Sequence, residues 1–537
     1  MAETKPFFHR ISRGALWLAY GLTVAWFLGV CAQFYLPGKG FTYLIMFGDR
    51  DAAHFVPELR ALNHYEIPNS IGYDAAYYAQ IAMHPRLGDP SLREAIDSLP
   101  YRARRILFSW TAYLLAFGDP ARALHIYAVQ NIVCWLLLAA LLLRWFPANS
   151  WENFFRWAGV LLSFGLCFSV RGALVDGPSL LLIAFGVALA ETGRPWWSAV
   201  VLGISGLGKE TNVLAGAALA PTDSTRPTWW RALARMAVVV LPLVAWLITL
   251  QGWLGNAFDQ GYRNFAPPFV AYFGKWREIL AGFSAGHDAW AERGSLLLVI
   301  ALSTQLVFFA VRPRWQDTWW RVGAAYAVLM AVIGEAVWEG YPGAASRVLL
   351  PLALAFNIVV PRGRRWWPVL LLGNLTVLLT PGALQPPEKA SYEVQGPRTL
   401  RIADATGHAV GIDFDDRWYG GERSRLEYWR WSRGSATLTL HNPHPFPVVA
   451  AVSFTVRVQG NRSLIVRAGD TEVWRGQFTP RERKDVRLSA VRLAPGDTRW
   501  RFETNEPPVH PENDDPRELA FSVRNLRIEL LDQATGR

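Results

Sequence analysis

The chain reads as an α-helical bundle crossing a membrane about eleven times and ending in an all-β sandwich outside it. Three features carry that reading. Over 537 residues, 52% are hydrophobic and only 18% charged, too apolar for a soluble chain of this length. Apolar runs of span length alternate with short loops holding Lys and Arg, the pattern of a polytopic membrane protein. Beyond Gln385 the composition turns to Arg, Asp, Thr and Val with alternating apolar residues, the period of strands with one buried face. A prior of ~150 residues per domain suggests three or four units, but a helical bundle absorbs most of that length as one. The same composition excludes disorder for most of the chain.

Two function classes fall away early. Cys31, Cys134 and Cys167 all lie inside apolar runs, so neither a disulfide framework nor a thiolate metal site is available. The net charge of +11 comes from Lys and Arg in loops between apolar segments, which points to topology and not to a nucleic-acid partner.

In chain order, Gly14 to Leu36 follows Lys5, Arg10 and Arg13. It is too long for a signal-peptide core and lacks a cleavage site, so it reads as an uncleaved anchor with the N-terminus cytoplasmic. Residues 37–105 are polar and aromatic and form a first outer loop. Ile106 to Gly118 has 13 residues, about 20 Å as a helix against a hydrocarbon core of ~30 Å, and dips in without spanning. Leu124 to Phe146 is a full span. Trp157 to Val170 and Pro178 to Ala190 form short helices around Arg171 and Asp176, and Trp196 to Leu207 and Asn212 to Ala220 bend around Lys209 and Glu210. Arg144, Arg156, Arg194, Arg226, Arg231 and Arg235 put the intervening loops inside, so both charged bends point outward. Ala237 to Gln251 then exits, 252–293 forms a second outer loop and Leu296 to Val311 returns. Val322 to Trp338 exits, Val348 to Val360 returns and Trp366 to Thr380 exits. The boundaries expected are 1–384 for the bundle and 385–537 for a jelly-roll-like sandwich outside the membrane. Strands are expected at Ala436 to Leu440, Ala451 to Val458, Leu464 to Ala468 and Leu526 to Leu530, with turns at Gly469-Asp470 and Pro495-Gly496.

Ionisable groups at membrane depth are costly and usually line a cavity or substrate path. The bland alternative is that Arg171 with Asp176, and Lys209 with Glu210, are neutralising pairs that hold helices together. Gly203 to Lys209 also satisfies G-x-x-x-x-G-K. Glu210 replaces the required Ser or Thr and no strand precedes it, so a nucleotide site is not assigned.

The first outer loop contains Gly72-Tyr-Asp74-Ala-Ala-Tyr77-Tyr78-Ala-Gln80-Ile-Ala82, then Tyr101-Arg102-Ala-Arg104-Arg105. This order resembles the GT-C glycosyltransferases that use polyprenyl-phosphate sugars. With the Arg171/Asp176 hairpin, Gly208-Lys-Glu-Thr211 and the sandwich, it is more closely similar to a bacterial family associated with cell-surface glycopolymer formation. Where that family often has Gly and Gln after the Asp, Ala75 and Ala76 stand here. The resemblance implies a GT-C-like bundle and an inverting hexosyl or pentosyl transferase. Its donor would be a polyprenyl-phosphate-linked sugar and its acceptor an extracytoplasmic glycan or glycolipid.

The chemistry sets the candidate roles. Transfer from a lipid phosphate needs a carboxylate for the acceptor proton and cations for the departing phosphate, and a single carboxylate assisting direct attack gives inversion. Asp74 is the candidate base, with Asp49 and Asp51 as rivals near the first span; a turn-capping role is the alternative for Asp74. Arg102, Arg104 and Arg105 suit a lipid phosphate through their forked donors, or anchor to headgroups. Arg171, Lys209 and Arg347 are further phosphate candidates, with Asp176 and Glu210 as their cavity partners. Tyr77, Tyr78, Tyr262 and Arg263 are possible sugar contacts; for the second outer loop an interfacial belt is the alternative.

In the sandwich, Trp418, Tyr419, Trp429 and Trp431 either stack on sugars or pack the core. Glu512 to Asp515 lacks a calcium spacing template, and His441 and His444 read as a turn. No metal site is assigned, and a divalent cation requirement is left open. Two other classes compete. One is a flippase for lipid-linked sugar, which inverted repeats would support and none is found. The other is a non-catalytic glycopolymer assembly protein.

Overall fold

Uninterrupted apolar runs become long helices in the computed structural model. It describes residues 5–36, 38–67, 70–222, 226–255, 261–285, 289–340, 342–386, 392–401, 403, 409–423, 427–480, 482–511, 515 and 517–531. One compact unit comprises Met1–Phe47, Phe55–Tyr65 and Tyr73–Pro386; the other comprises Gly48–His54, Glu66–Gly72 and Pro387–Arg537.

In the helical unit, Arg13–Ala32, Pro120–Leu142, Thr228–Leu254 and Arg293–Val311 are long and apolar enough to cross a membrane. Two bent pairs, Trp151–Leu161 with Phe164–Arg171 and Arg364–Gly373 with Leu375–Ala383, raise the number to six if each pair is one span. The expectation of about eleven spans is therefore corrected to four to six among the described residues. The reason is that apolarity marks burial, whether in lipid or in protein. Asp176–Glu191, at 16 residues, is only about 24 Å long against a core of ~30 Å. Leu350–Val359 has 10 residues, and its Leu352, Leu354, Ala355 and Phe356 are fully buried within the protein.

Helix ends are pinned by side chains, which fixes what those ends present. Asp119, followed by Pro120, accepts the Arg122 N–H at 2.7 Å and starts the 120–142 helix. At the opposite polarity, buried Arg156 donates to the carbonyls of Asn357, Val360 and Pro361 at 2.7, 2.8 and 3.0 Å, closing the end of Leu350–Val359. Arg321 closes the 3-10 helix Glu210–Leu219 in the same way, through the carbonyls of Ala217 and Ala218 at 3.1 and 2.8 Å. Each guanidinium supplies donors to carbonyls at the C-terminal end of its helix.

The C-terminal region is a two-sheet sandwich. Its strands are β1 (Tyr392–Gln395), β2 (Gly411–Phe414), β3 (Glu422–Arg423), β4 (Tyr428–Trp431), β5 (Ala436–Asn442), β6 (Val448–Val458), β7 (Arg462–Ala468), β8 (Thr471–Phe478), β9 (Arg483–Leu493), β10 (Gly496–Glu503) and β11 (Phe521–Leu531). One sheet runs β8-β7-β10-β5-β2 and the other β9-β6-β11-β4-β3, with β1 parallel to the end of β11. Strict alternation along β6 buries every second residue, as the period of 2 requires. Phe454 and Phe521 of one sheet meet Phe502 of the other at 5.8 and 5.9 Å between ring centroids.

Trp418 and Trp431 are buried in this unit, whereas arginines cover the other two aromatics. Arg433 and Arg517 lie 4.6 and 5.2 Å from the Tyr419 ring, and Arg524 lies 4.2 Å from that of Trp429. His441 pairs with Asp497 at 2.8 Å, and the His444 ring meets the Leu400 carbonyl at 2.7 Å. Asp515 is held by Arg517, and residues 512–514 of that loop lie outside the described residues.

Glu427 accepts from Arg524 at 2.6 Å and Arg483 at 2.9 Å. The Arg524 hydrogen bond, then the charges of both arginines, hold its carboxyl below the usual range. A carboxyl depressed on folding stabilises the fold above its unfolded value, about 4.3, and that contribution is lost as pH falls through the folded value. Glu427→Gln is expected to flatten the acid-side loss of stability of the sandwich, read by melting followed through tryptophan fluorescence below about pH 5.

Candidate active site

Asp74 opens the helix Asp74–Met83 after the N-cap Tyr73, and the preceding Gly72, with a φ of +82°, makes the tight entry. The carboxylate sits in the first turn, where the helix dipole favours negative charge. Ala75, Ala76, Ala79 and Ala82 behind it are all buried, so the two alanines that follow Asp74 serve helix packing.

Two arginines of the next segment reach this helix. Arg102 Nη1 donates to Asp74 Oδ1 at 2.8 Å, while its Nε and Nη2 grip Asp97 at 3.0 and 2.7 Å. Its guanidinium lies 4.8 Å from the Tyr77 ring. Burial pulls the Arg102 pKa down, but the Asp97 hydrogen bonds and the Asp74 charge outweigh it and raise it above its ordinary value. Arg105 donates to Glu210 at 2.9 Å, to the Tyr78 hydroxyl at 3.2 Å and to that of Tyr101 at 3.4 Å. Arg104 lies 5.1 Å from the Tyr101 ring.

A second cluster forms around Asp176, which opens the helix Asp176–Glu191 and is buried. Its two oxygens take the Lys209 ammonium and Arg347 Nη1, the latter at 3.3 Å. Arg347 Nη2 in turn donates to the Tyr73 hydroxyl at 2.9 Å.

Both clusters line one cavity of about 680 Å³, which includes Asp74, Tyr78, Arg104, Arg105, Asp176, Lys209, Glu210 and Arg347. Phe164, Phe168, Leu329, Ile333 and Val337 give it apolar walls. Among the described residues, no group of three His, Cys, Asp or Glu side chains is placed to hold a metal ion.

Several expectations need correction. The ion pairs are not local: Asp176 pairs with Lys209 and Arg347 instead of Arg171, and Glu210 pairs with Arg105 instead of Lys209. Arg171 lies over the rings of Tyr43 and Phe34 at 4.1 and 5.3 Å and does not line the cavity. Arg102 does not line it either; it is committed to two carboxylates. Asp49 accepts from the Ser70 N–H at 3.2 Å, and neither it nor Asp51 lines the cavity. Of the sugar-contact candidates, Tyr78 faces the cavity, Tyr77 carries Arg102, and Arg263 forms an exposed pair with Glu339 at 3.0 Å. The side chain of Tyr262 lies outside the described residues. The expectation that no strand precedes Lys209 agrees with the structure, where the helix Pro195–Gly206 leads into it.

Sequence reasoning missed Tyr73, Asp97 and Asn264. Tyr73 and Tyr101 stood inside the quoted runs without a role. Asp97 lies five residues before Arg102, outside the spacing of helical pairs. Asn264 donates to the Tyr101 hydroxyl at 3.2 Å from 163 residues away, and no local signal marks it.

Gly165 holds the Arg347 segment in place. A Cβ there would stand 2.0 Å from the Ser346 carbonyl oxygen and 3.0 Å from the Arg347 nitrogen. Gly165→Ala is expected to cost about 1–3 kcal/mol by overpacking, seen as a lower melting temperature in detergent.

No protein-family model matches the chain, and no curated protein matches it in sequence. Among solved structures the chain is similar to the cryo-EM structure of the arabinosyltransferase EmbB from Mycobacterium smegmatis, at 11% identity and a TM-score of 0.34. That match covers 95% of this chain and 64% of the arabinosyltransferase, so the chain spans less than two thirds of its length.

Proposed function

We propose that the protein is an inverting GT-C-type glycosyltransferase. In this reading it moves a sugar from a polyprenyl-phosphate carrier to a glycopolymer or glycolipid on the outer side of the membrane. One observation carries the reading: the Asp74 carboxylate shares a single cavity with Arg105, Lys209 and Arg347.

The acceptor hydroxyl gives its proton to Asp74 as its oxygen attacks the anomeric carbon. The bond from that carbon to the phosphate oxygen breaks on the opposite face, and the electron pair leaves with the polyprenyl phosphate. Lys209 and Arg347 share one carboxylate, Asp176, so that cluster carries one positive charge in excess and suits the leaving phosphate. Arg105, whose charge Glu210 balances, gains the phosphate by exchanging partners. The apolar walls favour the lipid end of the donor and exclude water from the reacting carbon.

The test is transfer by purified protein in nanodiscs, using a panel of labelled polyprenyl-phosphate sugars with a membrane extract as acceptor. The expected result is loss of donor and a product of opposite anomeric configuration. Retained configuration would rule out single displacement. Donor binding without turnover, across the panel, would favour lipid-linked sugar carriage.

A further inference from the structure

We propose that Asp97 is a positioning residue, which holds Arg102 so that Arg102 fixes the Asp74 carboxylate at the cavity wall. The proposal rests on the reading of Asp74 as the base.

Asp97 takes two of the Arg102 nitrogens, Nε and Nη2, in a forked pair at 3.0 and 2.7 Å. Only Nη1 is directed to Asp74, at 2.8 Å from Oδ1. The Tyr77 and Tyr101 rings lie 4.8 and 5.6 Å from the same guanidinium. Arg102 is therefore constrained along one edge by Asp97 and across its plane by aromatic rings, and its remaining nitrogen meets the base.

The geometry separates this triad from the phosphate cations. Arg102 does not line the cavity, whereas Asp74 does, so Arg102 acts on the reaction through Asp74. An exposed acid contributes little stability as an ion pair, and Asp97 is 43% exposed against 11% for Arg102. What Asp97 supplies is the direction of a planar fork, which a single-point contact does not define. With Oδ1 engaged by Arg102, the acceptor proton goes to Oδ2 of Asp74.

The experiment compares kcat and donor KM for wild type, Asp97→Asn, Asp97→Glu and Asp74→Asn in nanodiscs, with the donor that the transfer assay identifies.

Asp97→Asn is expected to lower kcat about tenfold and leave donor KM within about twofold, because a released Arg102 no longer fixes the Asp74 carboxylate at the cavity wall. Asp97→Glu, which keeps the fork, restores kcat to near the wild-type value. An unchanged kcat for Asp97→Asn, a loss confined to KM, or no rescue by Asp97→Glu overturns the proposal.

If Asp97→Asn does not fold, Arg102→Lys, which keeps the charge without the fork, is read by the same split between kcat and KM and the same outcomes. Wild-type turnover by Asp74→Asn would mean that the base itself is misassigned. An inactive Asp74→Asn beside a wild-type kcat for Asp97→Asn would remove the positioning role alone.

Discussion

Asp74→Asn is expected to lower kcat by about 10²–10⁴-fold while leaving donor binding close to wild type, the range that a positioned general base contributes. The substitution is nearly isosteric and keeps an oxygen for Arg102 Nη1, which now meets Asp74 Oδ1 at 2.8 Å. The helix Asp74–Met83 is packed by buried alanines on its other faces, so folding is expected to survive. What is lost is a group that accepts the acceptor hydroxyl proton, because an amide does not take it up. Single-turnover transfer, with donor binding measured separately, separates these effects. Unchanged kcat in folded protein would show that Asp74 is not the base.

Asp176→Ala is expected to cost about 3–5 kcal/mol, or to prevent folding, because it removes the one carboxylate that two buried cations share. Asp176 and its partners Lys209 and Arg347 have side chains only 4%, 10% and 10% exposed. An exposed pair of the same types would contribute about 0–1 kcal/mol. Here the loss leaves two uncompensated charges among Phe164, Phe168 and the neighbouring helices. Asp176→Asn, which keeps an acceptor, is expected to lose less. Asp176→Ala combined with Lys209→Met, which leaves only Arg347 charged, is expected to recover part of the cost. Melting temperature in detergent orders the three variants. A fall for Asp176→Ala no larger than that for Asp176→Asn would mean that the cations find other partners.

Much of the sandwich was legible because a strand shows its burial in a period of two. The run from Ala451 to Val458 falls inside β6, and that from Leu526 to Leu530 inside β11. In the bundle, the helices Arg13–Ala32 and Pro120–Leu142 were readable for a related reason, since each is apolar over about the thickness of a membrane's hydrocarbon core. The number of spans was not readable. Segments such as Leu350–Val359 are apolar because the protein buries them, and hydropathy does not distinguish a protein interior from lipid.

The amino-acid order determined which chemistry was present: a carboxylate in a Gly-Tyr-Asp run, a basic cluster after it and charges at two helix bends. Those are local facts, visible in neighbouring residues. Packing decided which charge meets which. Asp176 reaches Lys209 across 33 residues and Arg347 across 171, and Arg105 reaches Glu210 across 105. Adjacent opposite charges such as Lys209 and Glu210 invite a local pairing, yet backbone direction at a helix start sends consecutive side chains to different neighbours. Buried charges then take whatever partner the facing helix presents, since leaving one unpaired costs more than any local preference returns.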